Sequence, residues 1–332
     1  MTAMDALGPL RCWVVNDGTA GMETQCLGLA EALGLAPEVK RLRARAPWRW
    51  LPPQLWINPL DALDPAGDRL APPWPDLVIA TGRQTVAPVL ALRRANRGRS
   101  FTVQLQDPGI DPSRFDLVIA PEHDRLAGRN VVVTLGALNR VTPARLAAAA
   151  GEFAPALAGL KRPLVAVMLG GSNKAYRLTD RVIDRLGAEL ATLADRRGCG
   201  FAISASRRTD PAAFARLRAR LAGCPAVWWG GAGPNPYFGY LALADAILVT
   251  ADSVNMASEA CATGKPVYIV PLEGGSAKFR RFHARLAAAG MTRPFAGAIE
   301  SWSYTPLDET ARAAVEVRRR LAAWRRDGGG RS

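Results

Sequence analysis

Apolar residues in this chain gather into short continuous runs rather than alternating singly with polar ones. "RCWVVND", "DLVIA" (76–80), "FTVQLQ", a second "DLVIA" (116–120) and "NVVVTLG" are the runs of the first half. Continuous β-branched runs bounded by turns fit strands buried on both faces. Helical patterns lie between them, in "METQCLGLAEALG" and near 84–95. That alternation predicts a parallel doubly wound sheet. After an Ala-rich helical stretch at 143–158 and Lys161-Arg162-Pro163, the pattern restarts. "LVAVML" precedes a long helix over 177–196, "FAISAS" a helix near 211–221, and "AVWWGGAG" the stretch "VTADSVNMASEACATGKPVYIVPL" at 249–272. The expected class is therefore α/β with two Rossmann-like doubly wound domains, 1–160 and 161–306, and a last helix at 307–325 before a disordered glycine tail.

One segment breaks the alternation. Residues 47–76 hold eight prolines and four tryptophans. Either this is a surface loop pinned by its tryptophans, or it is a lip facing an acceptor or a membrane, since Trp suits boundaries with one apolar and one wet side.

Length and composition bound the remaining possibilities. With 332 residues, 49% of them hydrophobic, the chain can build two cores. No apolar run approaches the roughly 20 residues that span a bilayer. The opening "MTAMDALGPLRC" has no basic stretch followed by an apolar one, so no secretion signal is expected. Five scattered cysteines without a C-x-x-C pair argue against a metal or disulfide framework and for a reducing, cytoplasmic setting. The net charge of +14 is uneven: 17 Lys+Arg against 14 Asp+Glu over 1–150, then 26 against 15. That excess suits a phosphorylated ligand, an anionic membrane face or nucleic acid, or it only solvates helix faces. No nucleic-acid-binding signature accompanies it, so no nucleic-acid partner is expected.

In open parallel sheets ligands bind beyond the carboxyl ends of the strands. In the first half those ends carry Asp17-Gly18, Gly82-Arg83, Gln106-Asp107 and Glu122-His123-Asp124, an acidic set suited to deprotonating an acceptor hydroxyl. In the second they carry Gly170-Gly171-Ser172, Ser206-Arg207-Arg208-Thr209, Gly230-Gly231-Ala232-Gly233, Asp252-Ser253 and Glu273-Gly274-Gly275-Ser276. Glycine, hydroxyls and arginine are equipment for phosphate, because backbone N–H groups at helix starts attract anions and glycine lets the ligand approach them. Asp252 or Ser253 is expected to cap the following helix. Glu259 stands one turn deeper on the face of Asn255, where a carboxylate either accepts from both ribose hydroxyls or is merely solvated.

These residues carry a resemblance. "ADAILVTADSVNMASEACATGKPVYIVPLE" resembles the nucleotide-sugar site of GT-B glycosyltransferases of the lipid II-forming type, and "GGSNK" (170–174) resembles their donor phosphate loop. Ordered blocks along nearly the whole chain, among them "DGTAGMETQCLGLAEALG", "FDLVIAPEHD", "NPYFGYLALADAILVTADS" and "KFRRFHARLAAAGMTRPFAG", resemble the Elm1-type mitochondrial fission family, whose bacterial members are often labelled nucleoside-diphosphate-sugar epimerases. The resemblance implies a GT-B-like architecture, with two domains facing a cleft and the last helix crossing back to the first. It implies a nucleoside-diphosphate sugar as donor substrate; with no Asp-x-Asp and no His-Glu-x-x-His in the chain, no metal or other cofactor is expected. Glu259 would hold the ribose, Gly170, Gly171, Ser172, Asn173, Asp252, Ser253, Gly275 and Ser276 would surround the phosphates, and Arg207 would balance their charge. The first loop lacks the histidine of the lipid II type, so Asp17 or Asp107 would serve as base, with Gly18, Glu122 and His123 on the acceptor side.

Two readings follow. One is a metal-independent glycosyltransferase acting on a cell-envelope or other hydroxyl, cytoplasmic or peripheral on the inner membrane face, with an anionic membrane surface or lipid-linked acceptor as partner. The other is a non-catalytic module recruited through the basic helix "ARAAVEVRRRLAAWRR", one side of which carries Ala311, Ala314, Val315, Leu321 and Trp324. Epimerisation of the NAD type is not expected: Gly-x-Gly-x-x-Gly is absent from the first loop, and no tyrosine has a lysine four residues on.

Overall fold

The computed structural model describes residues 9–329. From the amino end run β1 (Cys12–Asn16), α1 (Ala20–Ala32), β2 (Glu38–Arg41), β3 (Leu77–Thr81), α2 (Arg83–Ala95), β4 (Phe101–Leu105), β5 (Leu117–Pro121) and β6 (Val131–Thr134). Then come α3 (Pro143–Leu157), β7 (Leu164–Leu169), the two-residue β8 (Tyr176–Arg177), α4 (Asp180–Arg197), β9 (Gly200–Ala205), α5 (Pro211–Arg220), β10 (Ala226–Trp229) and α6 (Tyr237–Leu243). The chain finishes with β11 (Ala246–Thr250), α7 (Val254–Cys261), β12 (Val267–Val270), the two-residue β13 (Glu273–Gly274), α8 (Ala277–Ala288), β14 (Thr292–Pro294) and α9 (Glu309–Arg326). Two compact units result, one of Met1–Arg140 with Asp308–Ser332, the other of Val141–Leu307.

The first unit holds a parallel six-stranded sheet in the order β2-β1-β3-β4-β5-β6. Its strands read as unbroken apolar runs because both faces are covered. Cys12, Val14, Leu77 and Ile79 point into one core with α1 and with Ala313, Ala314, Val317 and Leu321 of α9. Trp13, Val15, Val78 and Ala80 point into the other with Val86, Val89 and Leu92 of α2. The buried face of α9 keeps Ala314, Leu321 and Trp324 of the predicted side and adds Ala313 and Val317, whereas Ala311 and Val315 are exposed, Val315 by 62%. Arginines of this helix cap backbone carbonyls of the same unit, Arg318 on Ala32 and Arg320 on Arg129. Gly328 and Gly329 close a turn after it, the Gly329 N–H donating to the Trp324 carbonyl at 2.9 Å. They are not a disordered tail. Gly330–Ser332 and residues 1–8, which bear the expectations of a disordered end and of no leader, lie outside the described residues.

The second unit repeats the design as a parallel sheet in the order β10-β9-β7-β11-β12-β14. A small antiparallel ladder pairs β8 with β13. The sequence pattern sets the boundary near 160, but the units divide at 140/141 because α3 packs on α6. Gly239 of α6 has no room for a Cβ beside Phe153 of α3, and the Arg145 guanidinium lies 5.5 Å from the Phe238 ring centre.

Two helical glycines make opposite predictions. A Cβ on Gly28 of α1 would run into the Asn139 backbone carbonyl, in a segment tied to α9 by hydrogen bonds between Asn139 and Thr310 at 2.9 and 3.0 Å. Gly151 of α3 has open space around it. Urea unfolding should therefore show Gly28→Ala destabilised by about 2–3 kcal/mol and Gly151→Ala stabilised by up to about 1 kcal/mol.

Candidate functional site

In the second sheet the chain leaves β7 for β9 on one side and returns to β11 on the other, so the topological switch lies between β7 and β11. The loops beyond these two strands are laced together. The Gly170 N–H donates to Thr250 Oγ1 at 2.7 Å and the Gly171 N–H to Asp252 Oδ2 at 3.0 Å. Arg208, beyond β9, donates to the same Asp252 oxygen at 2.6 Å, and the Asn173 amide to the Asp252 carbonyl at 3.2 Å. Both glycines are required by close approach: a Cβ on Gly170 would strike the Asp252 carboxylate, and one on Gly171 the Arg208 carbonyl. The Asp252 side chain is wholly buried, with Oδ1 left without a hydrogen bond.

Ser253, not Asp252, caps α7: its hydroxyl accepts from the Met256 N–H at 3.2 Å. Ala257, Ala260 and Cys261 are fully buried, which draws the short helix tightly in. Glu259 is drawn in with them and is not a solvated helix residue. Its Oε2 accepts from the Tyr237 hydroxyl, at the start of α6, at 2.7 Å. No basic side chain pairs with it among the described residues. Burial disfavours the charged form of each partner. It pushes Glu259 up to about 7, against the smaller lowering effect of the tyrosine bond, and pushes the Tyr237 phenol well above its ordinary value.

The remaining predicted ligands are occupied mainly by their own loops. Ser172 Oγ accepts from the Leu178 N–H at 3.0 Å, and Asn173 Oδ1 from the Ala175 and Tyr176 N–H groups, each at 2.8 Å. The Gly275 N–H donates to the Ala175 carbonyl at 2.6 Å, and Ser276 caps α8 by accepting from the Phe279 N–H. Arg207 is exposed; the cation joined to Asp252 is its neighbour Arg208, itself 44% exposed. Arg208 and Tyr237 are the residues sequence reasoning missed. His283 packs by hydrogen bonding to the Ala251 carbonyl at 2.8 Å, with its pKa lowered mainly by burial.

In the first unit the switch falls between β1 and β3. Asp17 and Gly82 meet there: a Cβ on Gly82 would sit 3.5 Å from Asp17 Oδ2, and Gly82 adopts φ +97°. Asp17 Oδ1 accepts from the Thr19 N–H at 3.1 Å, and Gly18 donates to Asn16 Oδ1 at 2.7 Å. Asp107 lies two strands along the same edge, beyond β4, exposed and accepting from the Gly109 N–H of its own turn at 2.8 Å. Glu122 is exposed, while His123 is buried with Nε2 3.7 Å from Asp124. The sheet edge thus collects all five predicted residues, with Asp17 at the switch and Asp107 away from it.

Comparison with known proteins fits this geometry. The family model "Mitochondrial fission ELM1" matches residues 20–321. The chain belongs to the mitochondrial fission ELM1 family. It is 33% identical over 400 aligned residues to the Arabidopsis thaliana mitochondrial fission protein ELM1, covering 94% of this chain and 91% of that protein. An uncharacterized Rickettsia prowazekii protein is 28% identical over 283 residues, covering 74% and 79%. Among solved structures, this ELM1-family chain resembles Acinetobacter baumannii MurG, with TM-score 0.50, 17% identity and coverage of 95% and 93%. It also resembles Neisseria meningitidis UDP-GlcNAc 2-epimerase, solved with UDP-GlcNAc bound, with TM-score 0.50, 13% identity and coverage of 95% and 92%. A kitacinnamycin glycosyltransferase gives TM-score 0.51 at 14% identity, covering 98% and 96%. The fold is GT-B-like, shared by transferases and sugar epimerases. The missing Gly-x-Gly-x-x-Gly speaks only against NAD-type epimerisation, not against an epimerase carried on this fold.

Proposed function

We propose that the second unit binds a nucleoside-diphosphate sugar, with a UDP-N-acetylhexosamine the first to test. The observation that carries this reading is Glu259, a buried carboxylate beside the sheet's switch point with a phenol and, among the described residues, no cation against it. An unpaired buried carboxylate is costly, and two ribose hydroxyls donating to it would offset that cost. The start of α7 and the Gly170-Gly171 turn supply backbone polarity for the diphosphate, and the guanidinium of Arg208, half-exposed and ion-paired to Asp252, adds positive charge beside it. The neighbour solved with UDP-GlcNAc bound supports the donor class.

If the chain is catalytic, Asp17 is the better base of the two carboxylates, since each accepts one N–H of its own turn but Asp17 stands at the first sheet's switch point and Asp107 beyond β4, away from it. The reaction would be a metal-independent transfer to a hydroxyl, with the departing diphosphate stabilised by N–H groups and Arg208. The non-catalytic reading shares the nucleotide site but loses its recruiting device, because the apolar face of α9 is already docked within the first unit.

A thermal-shift panel of UDP, GDP, ADP, CMP and their common sugars tests the reading. Ligand at about 100 times its Kd adds roughly 2.7 kcal/mol of stability. UDP and UDP-GlcNAc should raise the melting temperature clearly; no rise with any nucleotide would overturn the proposal.

A further inference from the structure

Residues 47–57 of the first unit are fastened by packing and hydrogen bonds and leave an apolar tip of Trp50, Leu55 and Ile57 in solvent. Trp48–Trp50 and Pro53–Leu55 are single 3-10 turns. Trp56 is buried against Ala44, Ala62 and Ala87, with Trp48 and Leu51 packed beside it, and its indole N–H donates to the Leu51 carbonyl at 3.2 Å. Arg83 of α2 ties the segment from beneath, donating to the carbonyls of Arg49, Trp50 and Leu51 at 2.5, 3.4 and 3.0 Å. Gln54 reaches the Gly109 carbonyl at 3.1 Å. Against this fixed base stand Trp50, Leu55 and Ile57, 64%, 58% and 70% exposed. Of the five exposed large hydrophobic residues among the described residues, three fall within positions 50–57.

We propose that this tip inserts into the headgroup region of an anionic bilayer. Charge selects that occupant. Residues 41–57 contain four arginines and no acid. Arg41 and Arg43 pair with Glu23 and Asp64, but Arg45, Arg49 and Arg83 have no carboxylate partner among the described residues. Arg45 and Arg83 bond backbone carbonyls, and the Arg49 guanidinium lies over the Trp50 ring, 4.5 Å from its centre. Trp, Leu and Ile beside uncompensated arginines are what an interfacial anchor needs: apolar tips for the acyl boundary and cations for the phosphates. Pro47, Pro52 and Pro53 also remove three N–H groups that would need desolvation. Three side chains are too few for a stable protein interface, which buries over about 1,000 Å².

The test is flotation of the full chain with phosphatidylcholine vesicles and with vesicles of phosphatidylcholine plus phosphatidylglycerol. The wild type should float with the anionic vesicles alone, less so as salt rises. The triple variant Trp50→Ser, Leu55→Ser, Ile57→Ser should lose about tenfold or more in partitioning, and Arg49→Glu should lose part of it, both with unchanged circular dichroism and nucleotide response. Absence of flotation by the wild type, or equal flotation by the triple variant, overturns the proposal. So does a triple variant that instead changes the oligomeric state by size-exclusion chromatography, which would make a second copy of the chain the occupant.

Discussion

Glu259→Gln is expected to melt several degrees higher than wild type at about pH 8, and to lose its response to nucleotide. Burial holds Glu259 at about 7 in the folded chain against an ordinary value of 4.5. The folded state therefore binds this proton more tightly than the unfolded chain does. The resulting stabilisation is fully present below the unfolded value and disappears as pH rises through about 7. Above that, the ionised carboxylate leaves the fold weaker than at acid pH by roughly 3 kcal/mol. Glutamine cannot ionise, fills the same space and still offers an oxygen to the Tyr237 hydroxyl. Relief of about 2 kcal/mol in a domain this size corresponds to roughly 4–8 °C. Melting curves at about pH 5 and pH 8 check this: the two proteins should differ little at the lower pH and separate at the higher. Nucleotide binding should run the other way, because ribose hydroxyls donate best to the ionised form. Wild-type affinity for UDP should weaken as pH falls through about 7, and Glu259→Gln should bind poorly throughout. A variant that melts higher and still binds would leave Glu259 a buried acid with no part in the site.

What was legible in the sequence was the local part of this arrangement. A strand buried on both faces has to be a continuous apolar run, and "LVIAT", "LVAVML" and "AILVT" are such runs, so the two sheets and the loops at their carboxyl ends follow directly. Gly170, Gly171, Asp252 and Glu259 were legible for the same reason: each sits at a fixed offset from one of those strands. Tyr237 and Arg208 were not, because their meaning depends on partners 22 and 44 residues away. Nothing near "PNPYFGY" marks its first tyrosine as the partner of a carboxylate, and in "SRRT" only the packed loop separates the cation that reaches inward from the one that does not. The domain boundary failed similarly. The pattern of α3 is helical and Ala-rich whichever unit it serves, and only the fit of Phe153 against Gly239 assigns it to the second. The face of α9 was legible at Ala314, Leu321 and Trp324 and misread at Ala311 and Val315, since alanines occur on both sides and do not distinguish the packed side from the wet one.

The Asp252 carboxylate sets up the other large effect. Asp252→Ala should destabilise the second unit by about 2–3 kcal/mol and remove nucleotide binding with it. Its Oδ2 gathers the Gly171 N–H and the Arg208 guanidinium, so its loss leaves one buried donor without an acceptor and frees the turn after β7. The charge part of the cost is moderate, because Arg208 is exposed enough to turn to water once released. Asp252→Asn separates the two contributions. If its amide oxygen takes the place of Oδ2, both hydrogen bonds persist and only the charge opposite Arg208 is lost. The asparagine variant should therefore be weakened less than the alanine variant, by up to about 1 kcal/mol. Gly171→Ala reaches the same turn by a different route. Its methyl group displaces the Arg208 backbone, so it should destabilise by about 1–3 kcal/mol while leaving Asp252 intact. Urea unfolding read together with the UDP thermal shift tests the set. If all three variants lose binding in proportion to the damage at this turn, the Gly171–Asp252–Arg208 junction is what shapes the phosphate end of the site. If Gly171→Ala is destabilised yet binds UDP like wild type, the diphosphate lies elsewhere and the junction only fastens the ends of β7, β9 and β11 together.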